Sequence, residues 1–167
     1  HDGSFRWYDS DGTTERLRIY SNGNVTKPTQ ASFSANSASS YWTHGSSTGT
    51  LAIDNISTEL FDIGGNYNHS TSVFTAPVAG KYFFSLTYAY VCTSGYLNIH
   101  LKKGVGGTYS TYGRFFASPP QQSAHYTGPA LVGIMDLAAG NTVRPYAELN
   151  YAGNQLVNLN FSGYLLG

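Results

Sequence analysis

The side chains of this chain that could do chemistry are few and scattered. It holds five histidines, nine Asp and Glu residues and a single cysteine in 167 residues. A Ser-His-Asp hydrolase needs a nucleophile on a strained turn, a base and an orienting acid. His44, His69, His100 and His125 offer bases and serines abound, but the chain reads as lacking a Gly-x-Ser-x-Gly elbow. No His-x-His or His-x-x-x-His pair supplies two metal ligands from one element. A retaining glycosidase needs two carboxylates about 5–5.5 Å apart. Asp54, Glu59, Asp62, Asp136 and Glu148 are available for that role, but solvated loop or interface positions are the simpler reading. Asp9-Ser10-Asp11-Gly12, with Glu15, echoes part of a calcium loop without its full ligand spacing, so a β-turn is expected there. Asn-x-Ser/Thr triplets open at Asn24, Asn55, Asn68 and Asn160, and they matter only in a eukaryotic secretory route. No catalytic, cofactor or metal residue is assigned, and the chain is not expected to be an enzyme.

Binding is better served. Fourteen tyrosines accompany many Asn, Ser and Thr side chains. Aromatic faces stack on sugar rings, and amides hydrogen-bond hydroxyls. The stretch YGRFFASPPQQSAHYTG, residues 112 to 128, reads as a recognition loop carrying Arg114, Phe115, Phe116, His125 and Tyr126. A second, SYWTHGSSTG at residues 40 to 49, carries Tyr41, Trp42 and His44. Covering a sheet edge is the equal alternative for both.

The elements that must position these residues read as strands. Turn residues recur at short intervals and helical periodicity is nearly absent. Leu97, Ile99 and Leu101 alternate with Asn98, His100 and Lys102, and Val157, Leu159 and Phe161 alternate with Asn158, Asn160 and Ser162. Each pattern describes a strand with one apolar face. In KYFFSLTYAY, Tyr82, Phe84, Leu86, Tyr88 and Tyr90 share one face, with Phe83 and Ala89 on the other. In PALVGIMDL both faces are apolar. The second cover is expected to be a neighbouring subunit, with a crowded inner strand as the alternative.

Residues 1 to 30 stand apart. Short strands there are broken by Asp11-Gly12 and Asn22-Gly23, and too few apolar residues are present for an independent core. Three such segments wound together would be stable; a hairpin packed on the main domain is the other possibility. TKPTQ reads as a linker. The opening residues fall inside strand-like sequence, so the chain is expected to be a mature piece or fragment of a longer polypeptide, with His1 a cleavage or tag remnant.

Nine basic residues balance nine acidic ones, and only 11% of residues are charged. Bulk charge therefore implies no nucleic-acid partner. No stretch approaches a membrane span, so no membrane insertion is expected. Cys92, alone, can form no intrachain disulfide and is expected to be a buried thiol on a strand.

FDIGGNYNHSTSVFTAPVAGKYFFSLTYAY resembles the signature of the complement C1q-like globular head, through Phe61, Gly65, Tyr67, Phe74-Thr75, Pro77, Gly80 and Tyr82-Phe83-Phe84. Leu137, Gly140 and Val143 fit that family's later strand pair. FSGYLLG is similar to its terminal strand, and ASFSA to its first. The resemblance spans about residues 31 to 167, and it implies a ten-stranded jelly roll of the tumour-necrosis-factor-like type that assembles as a homotrimer. Phe74, Tyr82, Phe84, Leu86, Tyr88, Tyr90, Tyr164 and Leu166 are then the expected interface and core residues, with the aromatic strand along the three-fold axis and one of its faces in its own core. Some relatives bind calcium near the trimer apex, but no ligand position carries over. The collagen-like stalk of the animal family is absent. Instead ERLRIYSNGNVTKPTQASFSA resembles linkers of bacteriophage tail-fibre and virion proteins. These resemblances imply an all-β, trimeric fibre tip with a β stem at 1–30 and a head at 31–167. It would bind a host-surface glycan or protein receptor from a virion or extracellular position. A purely structural trimerisation cap and a glycan-degrading fibre enzyme are the alternatives.

Overall fold

Turns set the strand boundaries. Gly106 and Gly107, both at positive φ (57° and 85°), make a two-residue hairpin that L-residues adopt poorly. Gly140, at φ 80°, closes the Leu137-to-Gly140 turn. The computed structural model describes residues 3–37, 42, 48–117 and 119–166. Among these are fifteen strands and no helix: β1 Phe5–Tyr8, β2 Glu15–Ile19, β3 Val25–Thr26, β4 Ser32–Asn36, β5 Gly49–Ala52, β6 Thr58–Ile63, β7 Tyr67–Asn68, β8 Val73–Thr75, β9 Gly80–Cys92, β10 Leu97–Val105, β11 Thr108–Ala117, β12 Gln122–Thr127, β13 Leu131–Leu137, β14 Thr142–Leu149 and β15 Gln155–Leu165.

Twelve strands form a sandwich of two sheets. The first sheet runs β11-β10-β14-β8-β7, with β5 also on β14; the second runs β12-β9-β15-β4-β6, with β13 also on β9. The count exceeds the expected ten because two long strands each carry two short partners. On β14, β5 takes Tyr146 to Leu149 and β8 takes Thr142 and Val143. On β9, β12 lies near Tyr90 and β13 covers Gly80 to Leu86. The three strands before Ala31 form a separate sheet, β1-β2-β3.

Alternation along β9 explains the core. Tyr82, Phe84, Leu86, Tyr88 and Tyr90 all point inward and are buried. Phe33 is the hub beneath them: its ring lies 4.7 Å from Tyr67, 5.0 Å from Phe74 and 4.9 Å from Phe161. Offset and edge contacts of this kind contribute beyond area burial. Gly163 is required there, since a Cβ would come within 2.5 Å of the Phe84 ring. Burial leaves the phenols needing partners: Tyr82 Oη donates to the Val78 carbonyl (2.9 Å) and Tyr67 Oη to that of Ile56 (2.7 Å). The Cys92 thiol is buried, and that burial pushes its pKa up.

Two expectations are corrected here. Residues 112 to 128 are mostly strand, not loop, because β11 pairs with β10 and β12 with β9. Between Ala117 and Gln122, the described residues Pro119, Pro120 and Gln121 belong to neither strand. On β15 the alternation of Val157 with Leu159 fails. Asn158 sits at φ 53° in a bulge, so Leu156 joins Leu159 among the fully buried residues.

Candidate functional site

The two sheets expose very different outward faces. On the first sheet, Lys102 lies directly opposite Arg144, and both cations stand over the Tyr146 ring, at 4.8 and 5.9 Å. Beside them His100 Nε2 lies 3.4 Å from Glu148 Oε2. Desolvation holds the imidazole below its ordinary pKa, with the carboxylate opposing that shift. This face is charged and suits water.

The second sheet turns outward two rows with no charged side chain. Register aligns Ile134, Phe83, Tyr164, Ser32 and Ile63 across β13, β9, β15, β4 and β6. The next row is Val132, Ser85, Ser162, Ser34 and Phe61. Phe83 and Tyr164 pack together at 5.2 Å. Val132 is 58% exposed and Ile134 53% exposed in the single chain. Beyond lies a polar row, in which the Asn160 amide donates to Asn36 Oδ1. Large apolar side chains around a serine-lined centre, depleted of charge, have the composition of an interface core.

The sequence-based site residues divide accordingly. Phe74, Tyr82, Phe84, Leu86, Tyr88 and Tyr90 lie in the interior of one chain. Their cover is the chain's own first sheet, so this is the face of β9 that lies in its own core, and Phe83 on the other face is the one turned outward. Tyr164 and Leu166 remain exposed. Val132, Ile134, Phe61 and Ile63 carried no assignment. The apolar character of both faces of PALVGIMDL was their signal, together with the i, i+2 spacing of Phe61 and Ile63.

The recognition candidates separate too. Trp42 is buried, bridging to Leu156 through paired backbone bonds of 2.7 and 3.1 Å, so it anchors its segment and is not displayed. Tyr126 is exposed on β12. Tyr41 and His44 lie outside the described residues, as do the side chains of Arg114, Phe115, Phe116 and His125. A shallow cleft of about 600 Å³, lined by Asn66, Asn68 and His69 among others, opens beside β7.

Gly45-Ser46-Ser47-Thr48-Gly49 does have the elbow spacing, contrary to the reading above. Its serine, Ser47, lies outside the described residues, and Gly49 opens β5. Asp62 and Glu148 stand in different sheets. Among the described residues no group of three or more His, Cys, Asp and Glu side chains gathers for a metal. The calcium-like stretch is a turn: Asp11 Oδ1 accepts the Thr13 N–H and hydroxyl, and a side-chain hydrogen bond with Asp9 first, then these Thr13 contacts, lower its carboxyl to about pKa 2.

The sandwich is shared with proteins of known structure. The globular domain of zebrafish complement 1qA protein matches with TM-score 0.60 at 16% identity, over 83% of this chain and 98% of that one. Murine APRIL matches with TM-score 0.62 at 11% identity, over 82% and 99%. The Eiger TNF of S. frugiperda matches with TM-score 0.63 at 8% identity, over 83% and 94%. At these identities the likeness establishes the fold, an all-β jelly-roll sandwich. No curated protein matches the sequence. The C1q domain model, however, matches residues 32–166, nearly the whole head, and the chain belongs to the C1q domain family.

Proposed function

We propose that the chain is a non-enzymatic, homotrimeric binding module at the tip of a phage or prokaryotic surface fibre. It works on a virion or outside the cell and presents its surface to a host glycan or protein receptor. The observation that carries this reading is the uncharged apolar band on the second sheet. A face with Val132 and Ile134 more than half exposed is covered when three copies close around an axis. Closure also shields the edges of the sheet. Three copies of a weak site then act together, so modest single contacts suffice. Tyr126, exposed on β12, is the residue proposed to meet the receptor, with Arg114 and His125 kept as candidates from the sequence, and no cofactor is proposed. A separate sheet ahead of the head suits a stem leading to a larger body.

A purely structural trimerisation cap is favoured by one observation, the burial of Trp42, which leaves fewer displayed aromatics. A glycan array and host-cell binding on the assembled protein separate the two. Binding that falls on replacing Tyr126 or Arg114 with Ala supports recognition; an array and cells that stay blank support the cap. Oligosaccharide released from host polysaccharide would replace both readings with a fibre enzyme.

A further inference from the structure

We propose that the N-terminal sheet is a second association element, in which β1–β3 of three copies close on one another through a single apolar face. The inference rests on the trimeric reading above and extends it to the stem. Register places Phe5 opposite Ile19 and Ile19 opposite Val25, with Trp7 opposite Leu17. Directly opposed residues share a face, and so do residues two apart on a strand. Phe5, Trp7, Leu17, Ile19 and Val25 therefore all project from one side. In the single chain Phe5 is 59% and Trp7 63% exposed, and Ile19 and Val25 are exposed as well. Among the described residues no head strand pairs with this sheet. A three-stranded sheet holds its form only when its apolar face is packed.

The reverse face identifies the side that water takes. Arg6 lies directly opposite Arg18 there, a like-charge pairing tolerated where solvent screens it. Arg18 stacks on Tyr20 at 4.2 Å, Arg6 reaches Glu15 at 3.8 Å, and Arg16 reaches Asp9 at 3.3 Å.

The occupant of the apolar face follows from where the sheet is rooted. The Gln30 amide donates to the Leu165 carbonyl, and Leu165 N–H donates to the Ala31 carbonyl. The stem thus leaves the head beside the end of β15, between Tyr164 and Leu166 of the exposed face. Four residues lie between Val25 and Gln30, so five Cα-to-Cα steps give a reach of at most about 18 Å. When three heads meet at that face, three stem sheets are held within touching distance. Each has the same apolar side to cover, and the equivalent face on its neighbours is the matching surface.

Two readouts on the full chain test this. In a Trp42→Phe variant, Trp7 is the sole tryptophan, and its quenching by acrylamide reports whether the face is covered. Ile19→Cys introduces a thiol on that face, while Cys92 stays buried. Expected are a trimer by light scattering, quenching of Trp7 several-fold weaker than that of free tryptophan amide, and disulfide-linked dimers on mild oxidation of Ile19→Cys. A trimer in which Trp7 quenches like the free amide overturns the stem proposal and leaves the head trimer standing. Protected Trp7 without cross-linked chains also overturns it, because the head is then the cover. A species of 18.0 kDa alone removes the trimeric reading itself.

Discussion

Replacing Ile134 with Asp tests the assembly face most directly. Full burial of an isoleucine side chain contributes about 1.5–3 kcal/mol. Ile134 is 53% exposed in the single chain, so covering the remainder is worth about 0.8–1.6 kcal/mol per copy, or about 2.5–5 kcal/mol over three copies. Association weakens tenfold for every 1.4 kcal/mol. Lost burial alone then lowers the trimer association constant by roughly two to four orders of magnitude. Burying three carboxylates adds several kcal/mol for each ion. The variant is therefore expected as an 18.0 kDa monomer at low micromolar concentration, where the parent gives three times that mass. The fold itself is not expected to change, because Ile134 faces away from the core, and the circular dichroism spectrum checks that. Sedimentation velocity decides the matter. An Ile134→Asp protein that sediments as the same trimer as its parent would show that the chains meet through another surface, and the reasoning from the apolar band would be wrong.

Three further outcomes follow from the core. Phe33→Ala removes the ring that packs on Tyr67, Phe74 and Phe161, at a cost of about 3–5 kcal/mol in urea unfolding; a loss below about 1 kcal/mol contradicts the hub assignment. His100 carries a folded pKa below its ordinary 6.5, so the unfolded chain takes up the proton first. Its contribution is complete above 6.5 and is lost as pH falls below that value. The melting temperature of His100→Gln should depend less on pH in that range, and an unchanged profile refutes the assignment. The buried Cys92 thiol should ignore a disulfide reagent until denaturant is added; full labelling of the native protein within minutes contradicts its burial.

Much of the strand layout is legible locally. The alternation of β9 and β10, the turns at Gly106-Gly107 and Leu137 to Gly140, and the break before Ala31 each involve neighbours in sequence. The C1q-like head is legible for the same reason, since its aromatic and turn residues fall in order along one segment. Recognition residues were less readable. Residues 112 to 128 look like a loop because Pro119-Pro120 and polar residues dominate the stretch, while the partners that make strands of it lie on β10 and β9. Trp42 reads either as an anchor or as a recognition aromatic, and only the bridge to Leu156 decides for the anchor.

The sequence by itself determined that this is an all-β chain with more apolar strand face than one sheet can hide. Only the tertiary structure decided which face was left over. Alternation says that a strand has two sides but not which side meets the partner sheet. That depends on long-range pairing: the first sheet covers Tyr82, Phe84 and Leu86, while Phe83, Val132 and Ile134 face away from it.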